Sequence, residues 1–232
     1  MEMKYLQLIC IEGETGTSEA AAAMRDHIGP WFEDVVRRRV HIVGKPLDGP
    51  ETAKTVRVRD GETHVSDGPF ADTKEFIGGL DLLDCENLDE AIEVAAKHPV
   101  SWFHAIELRP FAEGLEIPAT LRGEDLRHLL QEFVVDGADP VDPSALMAWR
   151  QAAQARGALL LGHALQHRDT ATTVRVREGE TLITDGPFLE TKEFLGGVAL
   201  LSCEQAQDAL ELASSFPLAS GSAVEVRRFI DL

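Results

Sequence analysis

Sliding the chain along itself by 118 residues lays TVRVRDGETHVSDGPFADTKEFIGGLDLLDC (Thr55 to Cys85) over TVRVREGETLITDGPFLETKEFLGGVALLSC (Thr173 to Cys203), with 21 identities in 31 gapless positions. A match of that length is a tandem duplication, so the two copies share one fold. It continues forward to AIELRPF (Ala105 to Phe111) over AVEVRRF (Ala223 to Phe229) and backward to Trp31 over Trp149. Ahead of the first helix an offset of 124 lays YLQLICIEG (Tyr5 to Gly13) over LLQEFVVDG (Leu129 to Gly137), which leaves the second copy 124 − 118 = 6 residues shorter there. The repeats therefore span 1–111 and 126–232, and each reads as a complete unit. Residues 112–125, AEGLEIPATLRGED, have no counterpart and carry Gly, Pro and charge, as a linker does.

Within each copy the periodicities give the elements. The alternation in LQLIC predicts a strand, and Met24, Ile28, Trp31 and Val35, spaced by three and four, predict one face of a helix. Gly29-Pro30 falls inside that helix, where proline removes a hydrogen bond, and predicts a kink or break. In the second copy Asp142-Pro143 reads as an N-cap followed by proline at the first helical position. VHIVG and TVRVR are strands, and Asp60-Gly61 and Glu178-Gly179 predict tight hairpins. A strand through FIGGLDLLDC, a helix with Asn87 as N-cap and Glu90 three residues on, and a last strand AIELRPF complete the copy. The order β-α-β-β-β-α-β is an α+β class, a ferredoxin-like sandwich with an inserted hairpin. Two tandem units of this kind are expected to form an intramolecular pseudo-dimer, since a linker extended at about 3.3 Å per residue is long enough to let them pack together.

Charge and composition narrow the function. Twenty-two Lys and Arg against 40 Asp and Glu give −18, a field that repels phosphate backbones, so no nucleic acid is expected as partner. The sequence has no apolar run of membrane-spanning length and opens without a signal-peptide pattern, which predicts a cytoplasmic protein with no membrane partner. Cys10, Cys85 and Cys203 show no metal-ligand or disulfide spacing. His163 and His167 are four apart but follow a strand, so no metal is expected, and with no GxGxxG, GxxxxGKS or GxxxxGKT in the sequence no nucleotide cofactor is expected either.

The segments SDGPFADTKEFIGGL and TDGPFLETKEFLGGV read first as turns: Asp bonds backbone amides, Gly takes unusual φ, Pro fixes the exit and Phe anchors the loop. Gly78-Gly79 and Gly196-Gly197 inside a strand predict a bulge or a close backbone approach. A functional reading has Asp67, Lys74, Glu75 and Arg57, with Asp185, Lys192, Glu193 and Arg175 in the second copy, lining a polar cleft that binds a small anion or shuttles a proton. Ion pairs that only hold the fold explain the same residues.

These strings resemble the DGPF signature of the YCII-related domain family, and the resemblance covers nearly the whole chain twice. It implies small dimeric α/β-barrel units, and a His/Asp pair like that proposed as the active site in relatives that include a chloromuconolactone dehalogenase. It also implies a link to extracytoplasmic-function sigma factors, beside which some DGPF proteins are encoded. Where YCII-related proteins carry Asp before a proline at the end of the second helix, this chain has His98-Pro99 and Phe216-Pro217.

His27, His41, His64, His98 and His104 face Ala145, Leu159, Leu182, Phe216 and Ser222 at the 118 offset, so histidine chemistry is not duplicated. His27, one turn before Trp31, is the candidate acid/base, with Asp67 as the carboxylate that orients it. Two functions follow as expectations. One is cofactor-free binding or acid/base transformation of a small polar metabolite. The other is a non-catalytic regulatory or interaction protein, with self-association beyond the internal pair left open.

Overall fold

A computed structural model describes residues 3–13, 18–59, 62–70, 75–138, 141–188, 193–218 and 221–231. The first repeat runs β1 (Met3–Glu12), α1 (Ser18–Arg37), β2 (His41–Pro46), β3 (Lys54–Arg59), β4 (Glu62–Asp67), β5 (Glu75–Cys85), α2 (Leu88–Lys97) and β6 (Ala105–Pro110). The second runs β7 (His128–Val135), α3 (Pro143–Ala155), β8 (Leu159–Ala164), β9 (Thr172–Arg177), β10 (Glu180–Asp185), β11 (Glu193–Leu201), α4 (Ala206–Ser214) and β12 (Ala223–Arg228). The expected order of elements is present in both, and the fold is mixed α+β.

Local chemistry explains the boundaries. The Asn87 side chain accepts from the Glu90 amide at 3.0 Å while Glu90 accepts from the Glu86 amide at 2.8 Å, closing the start of α2. Asp142 caps α3 through the Ser144 amide at 2.9 Å. Helix α1 runs through Pro30 without a break, contrary to one of the two expected outcomes. Asp26, whose carbonyl proline leaves unbonded, and Pro30 are both exposed, so water can satisfy that carbonyl. The Glu178-Gly179 turn has φ of 53° and 81°, the two positive values a type I′ hairpin demands. The Asp60-Gly61 turn lies outside the described residues.

The strands form two six-stranded sheets, β10-β9-β6-β1-β5-β2 and β4-β3-β12-β7-β11-β8. In each, the four strands of one repeat lie in ferredoxin-like order and the outer two come from the other repeat's hairpin. The compact units are accordingly 1–45, 73–113 and 166–190, and 46–72, 114–165 and 191–232. The compact units therefore do not coincide with repeats 1–111 and 126–232, each of which reads as complete in sequence, because each unit takes in the other repeat's hairpin. The physical reason is visible in the cores. Val174 of β9 is fully buried among Trp31, Val35, Leu83, Val94 and Ile106, and Val56 of β3 among Leu130, Trp149, Leu201, Leu212 and Val224. Each burial contributes about 1.5–3 kcal/mol to a unit whose other residues belong to the opposite repeat.

Cleavage of the exposed stretch at Glu113-Gly114 is therefore expected to leave fragments 1–113 and 114–232 associated. They should co-elute in native size exclusion and separate only in denaturant. Separation under native conditions would contradict the exchanged hairpins.

The register corrects a second expectation. Leu8 stands opposite Glu107 and Leu80, and Gln131 opposite Glu225 and Val198. Glu225 and Val198 are the 118-residue equivalents of Glu107 and Leu80, so β1 and β7 correspond at an offset of 123, not 124. Gly13 and Gly137, with φ of 73° and 75°, match in sequence because one extra residue follows the strand in the second copy. A one-residue slip exchanges the two faces of a strand, so the equivalent of Glu132 is the helix-facing Ile9 and that of Leu130 is Gln7.

The bulge predicted at the paired glycines is present. Register skips Gly78 between Ile9 and Cys10, and Gly196 between Glu132 and Phe133. A Cβ at Gly78 would lie 2.7 Å from the Ile11 side chain, and at Gly196 2.9 Å from Val134.

Candidate functional site

The DGPF segments act as latches for the exchanged hairpins. Gly68 and Gly186 take φ of 92° and 100°. Their amides donate to Ala53 and Ala171 at 2.9 and 2.8 Å, and their carbonyls accept from Thr55 and Thr173 hydroxyls at 3.0 Å. This turn aims the Phe70 amide at Glu225 and the Phe188 amide at Glu107, each 2.8 Å from a carboxylate oxygen. Both glutamates are buried on the last strand of the other repeat, and burial lifts their carboxyls above the ordinary range. Glu107 also faces Arg109 at 3.4 Å, and Glu225 accepts from Gln131 at 3.1 Å. Ile106 and Leu108 belong to the helix-facing core, so Glu107 and Arg109 project from the opposite face of the sheet.

The residues expected to line a polar cleft are divided by the hairpin exchange. Arg57 and Asp67 lie in the unit of 46–72, and Glu75 in that of 73–113. The Arg57 guanidinium stacks 4.7 Å over Phe70 and donates to its carbonyl at 3.2 Å, and Phe70 in turn stacks on Phe133 at 4.8 Å. Arg175 lies 5.4 Å over Phe188 and makes two bonds, 3.1 and 2.8 Å, to Glu12. Asp67 is exposed at the end of β4, where its hydrogen bond from Lys54 holds the carboxyl below its ordinary range. Asp185 is likewise exposed. Glu75 pairs with Glu12 across β1 and β5, and Glu193 with Val135 across β7 and β11. Lys74 and Lys192 lie outside the described residues. His27 is exposed on α1 with its ring 4.9 Å from Trp102, in a different unit from Asp67.

A different histidine has a carboxylate. On the helix-facing side of the first unit, His41 Nε2 lies 3.1 Å from Asp81 Oδ1, and Asp81 Oδ2 accepts from Gln7 Nε2 at 2.8 Å. Gln7 is fully buried, while the His41 and Asp81 side chains keep 7% and 11% exposure, enough to touch solvent but not to be dissolved in it. β1 sets Gln7 directly opposite Asp81 of β5. Gly44 of β2 makes room for the carboxylate: a Cβ there would lie 2.0 Å from Asp81 Oδ1 and 2.8 Å from the Leu80 carbonyl. Trp31 and Phe32 of α1 set ring edges against His41 at 6.1 and 5.1 Å, and Phe32 is 48% exposed. A carboxylate at Nε2 favours the tautomer in which Nε2–H donates to it and Nδ1 is the acceptor nitrogen.

His98 completes the group from the start of the turn after α2. Its ring meets Trp31 at 4.5 Å and its Nδ1 accepts from the Val100 amide at 3.2 Å. Burial pushes it down to about 4, with Asp81 pulling the other way and His41 adding to the depression. Above its unfolded value of 6.5 the ring is neutral in both states. As pH falls toward 4 the unfolded chain takes up a proton that the folded one refuses, so up to roughly 3 kcal/mol of stability is lost in that window. His98→Phe, the residue the second repeat has, is expected to flatten the fall in urea midpoint between pH 7.5 and pH 4.5. An unchanged slope would assign acid sensitivity elsewhere.

The YCII-related domain model matches residues 3–112 and again 139–232, most of the chain. This chain belongs to the YCII-related domain family. It is also 56% identical over 43 residues to a protein of Rhizobium meliloti (strain 1021) named "Uncharacterized protein R00369", covering 18% of this chain and 35% of that protein. The chain thus spans about a third of that relative's length.

In this YCII-related chain the polar group occurs once. The equivalents of Gln7, His41, Asp81 and His98 in the second repeat are Leu130, Leu159, Ala199 and Phe216, an apolar set. The sequence carried one usable signal for the pair: Asp81 lies in phase with the buried Leu83 and Cys85, and a buried carboxylate requires a partner. Cys85 is no nucleophile, since burial pushes its thiol up to about 12.

Proposed function

We propose that the first unit binds a small polar metabolite beside Phe32 and acts on it by acid/base chemistry, with His41 as the proton-transfer group. The observation that carries this reading is the chain Gln7–Asp81–His41, in which a buried carboxylate, fixed on one side by an amide, orients an imidazole on the other. His98, pushed down by burial and set edge-on against Trp31, is a second polar ring beside this group. The exchanged hairpins support reading the chain as an internal pseudo-dimer, in which each repeat supplies what a second copy would supply in a dimer of single-domain chains.

The test incubates purified protein with a desalted metabolite extract and follows every small-molecule mass against time, for wild type, His41→Asn and His27→Ala. Consumption of one species by wild type and His27→Ala but not by folded His41→Asn is the expected result. Loss in His27→Ala with retention in His41→Asn would overturn the assignment. A regulatory role, as in a sigma-factor circuit, is the second reading. It is favoured by the use of both DGPF loops as structural latches, and absence of turnover in wild type would select it.

A further inference from the structure

The second unit has lost the His41 group but carries its own polar set in the corresponding cleft. The cleft is shallow and open to solvent on one side, and lies between α3 and the face of β7, β8 and β11. Its walls include Leu130, Leu146, Trp149 and Phe216, the last two meeting edge to face at 4.9 Å. Glu132 and Arg150 converge on it, where the first unit has Ile9 and Phe32, and His163 stands where that unit has Lys45. Gly197 leaves the floor open, since a Cβ there would come within 3.0 Å of Glu132 Oε2. Two half-buried side chains of opposite charge thus face this cleft where the first unit has two apolar ones.

We propose that this cleft binds a small monocarboxylic acid with a flat apolar body, the carboxylate meeting Arg150 and Glu132 and the ring lying against Trp149 and Phe216. Arg150 supplies the cation an anion needs, and its guanidinium fork fits a carboxylate. Glu132 would repel that anion if ionised, but burial pushes its carboxyl up to about 7, with Arg150 opposing, so taking up a proton when the anion arrives costs little near neutral pH. An amine ligand would suit Glu132 and be repelled by Arg150. A bare phosphate would leave the aromatic wall unused. This inference is independent of His41, which belongs to the other unit.

The experiment titrates the full chain with sodium benzoate and, separately, benzylamine, following the Trp149 indole and Gly197 amide resonances by NMR. Expected are saturable shifts with benzoate and none with benzylamine. Binding should weaken about tenfold or more in Arg150→Gln, recover in part in Arg150→Lys, and be unchanged in His41→Asn. No saturable shift at millimolar benzoate, equal binding of benzylamine, or undiminished affinity in a folded Arg150→Gln would each overturn the proposal.

Discussion

Glu107→Ala is expected to destabilise the protein by about 3 kcal/mol, because it removes the carboxylate beside Arg109, of which only 1% is exposed and which also donates to the Gln166 carbonyl. The same change leaves the Phe188 amide without its acceptor at the point where the hairpin is latched. In a chain of this size each kcal/mol moves the melting temperature by roughly 2–4 °C, so a loss of about 10 °C is the observable. Glu107→Gln keeps an acceptor for Phe188 and should cost less. Glu225→Ala removes the acceptor of Gln131 and the Phe70 amide and the charge beside the buried Arg227, the equivalent of Arg109, and should cost an amount similar to Glu107→Ala. Equal small losses in all three would mean that water replaces the latch and that the DGPF segments are not what holds the hairpins.

Gly44→Ala is expected to abolish any activity of the first unit while lowering stability by about 2–4 kcal/mol. The new methyl would stand 2.0 Å from Asp81 Oδ1 and 2.8 Å from a backbone oxygen, so the carboxylate must leave and His41 and Gln7 both lose their partner. Gly162→Ala, the same position in the second repeat, meets only side-chain carbons, the nearest the Leu159 methyl at 3.3 Å, and should be tolerated. Comparing thermal denaturation of the two variants and the His41 ring resonances of the first decides the matter. Unchanged His41 resonances in Gly44→Ala would show that the carboxylate does not depend on this glycine.

Within the candidate site the sequence showed that any histidine chemistry is single, because the second copy has no histidine at the five matching positions. Asp81 carries only a faint mark, its phase with Leu83 and Cys85, because one carboxylate in a strand does not name its partner. His41 was not separable from His27 by pattern, because both lie near Trp31 in the fold and only one projects inward. Glu132 was hidden by the offset of 124, at which it aligns with Leu8 instead of the inward-facing Ile9.

The sequence by itself determined that there are two copies of one β-α-β-β-β-α-β unit, with the Trp31 and Trp149 stripes buried, the glycine bulges placed and the helix starts capped. These follow from local periodicity and turn chemistry, which act over a few residues. Which hairpin joins which sheet was decided only in the tertiary structure. TVRVR occurs identically in both copies, so its strand pairs as well with one last strand as with the other, and no local preference separates the two. Tertiary structure also decided the pairing of His41 with Asp81, forty residues apart, because adjacency across a sheet depends on register, and a shift of one residue turns every side chain to the other face.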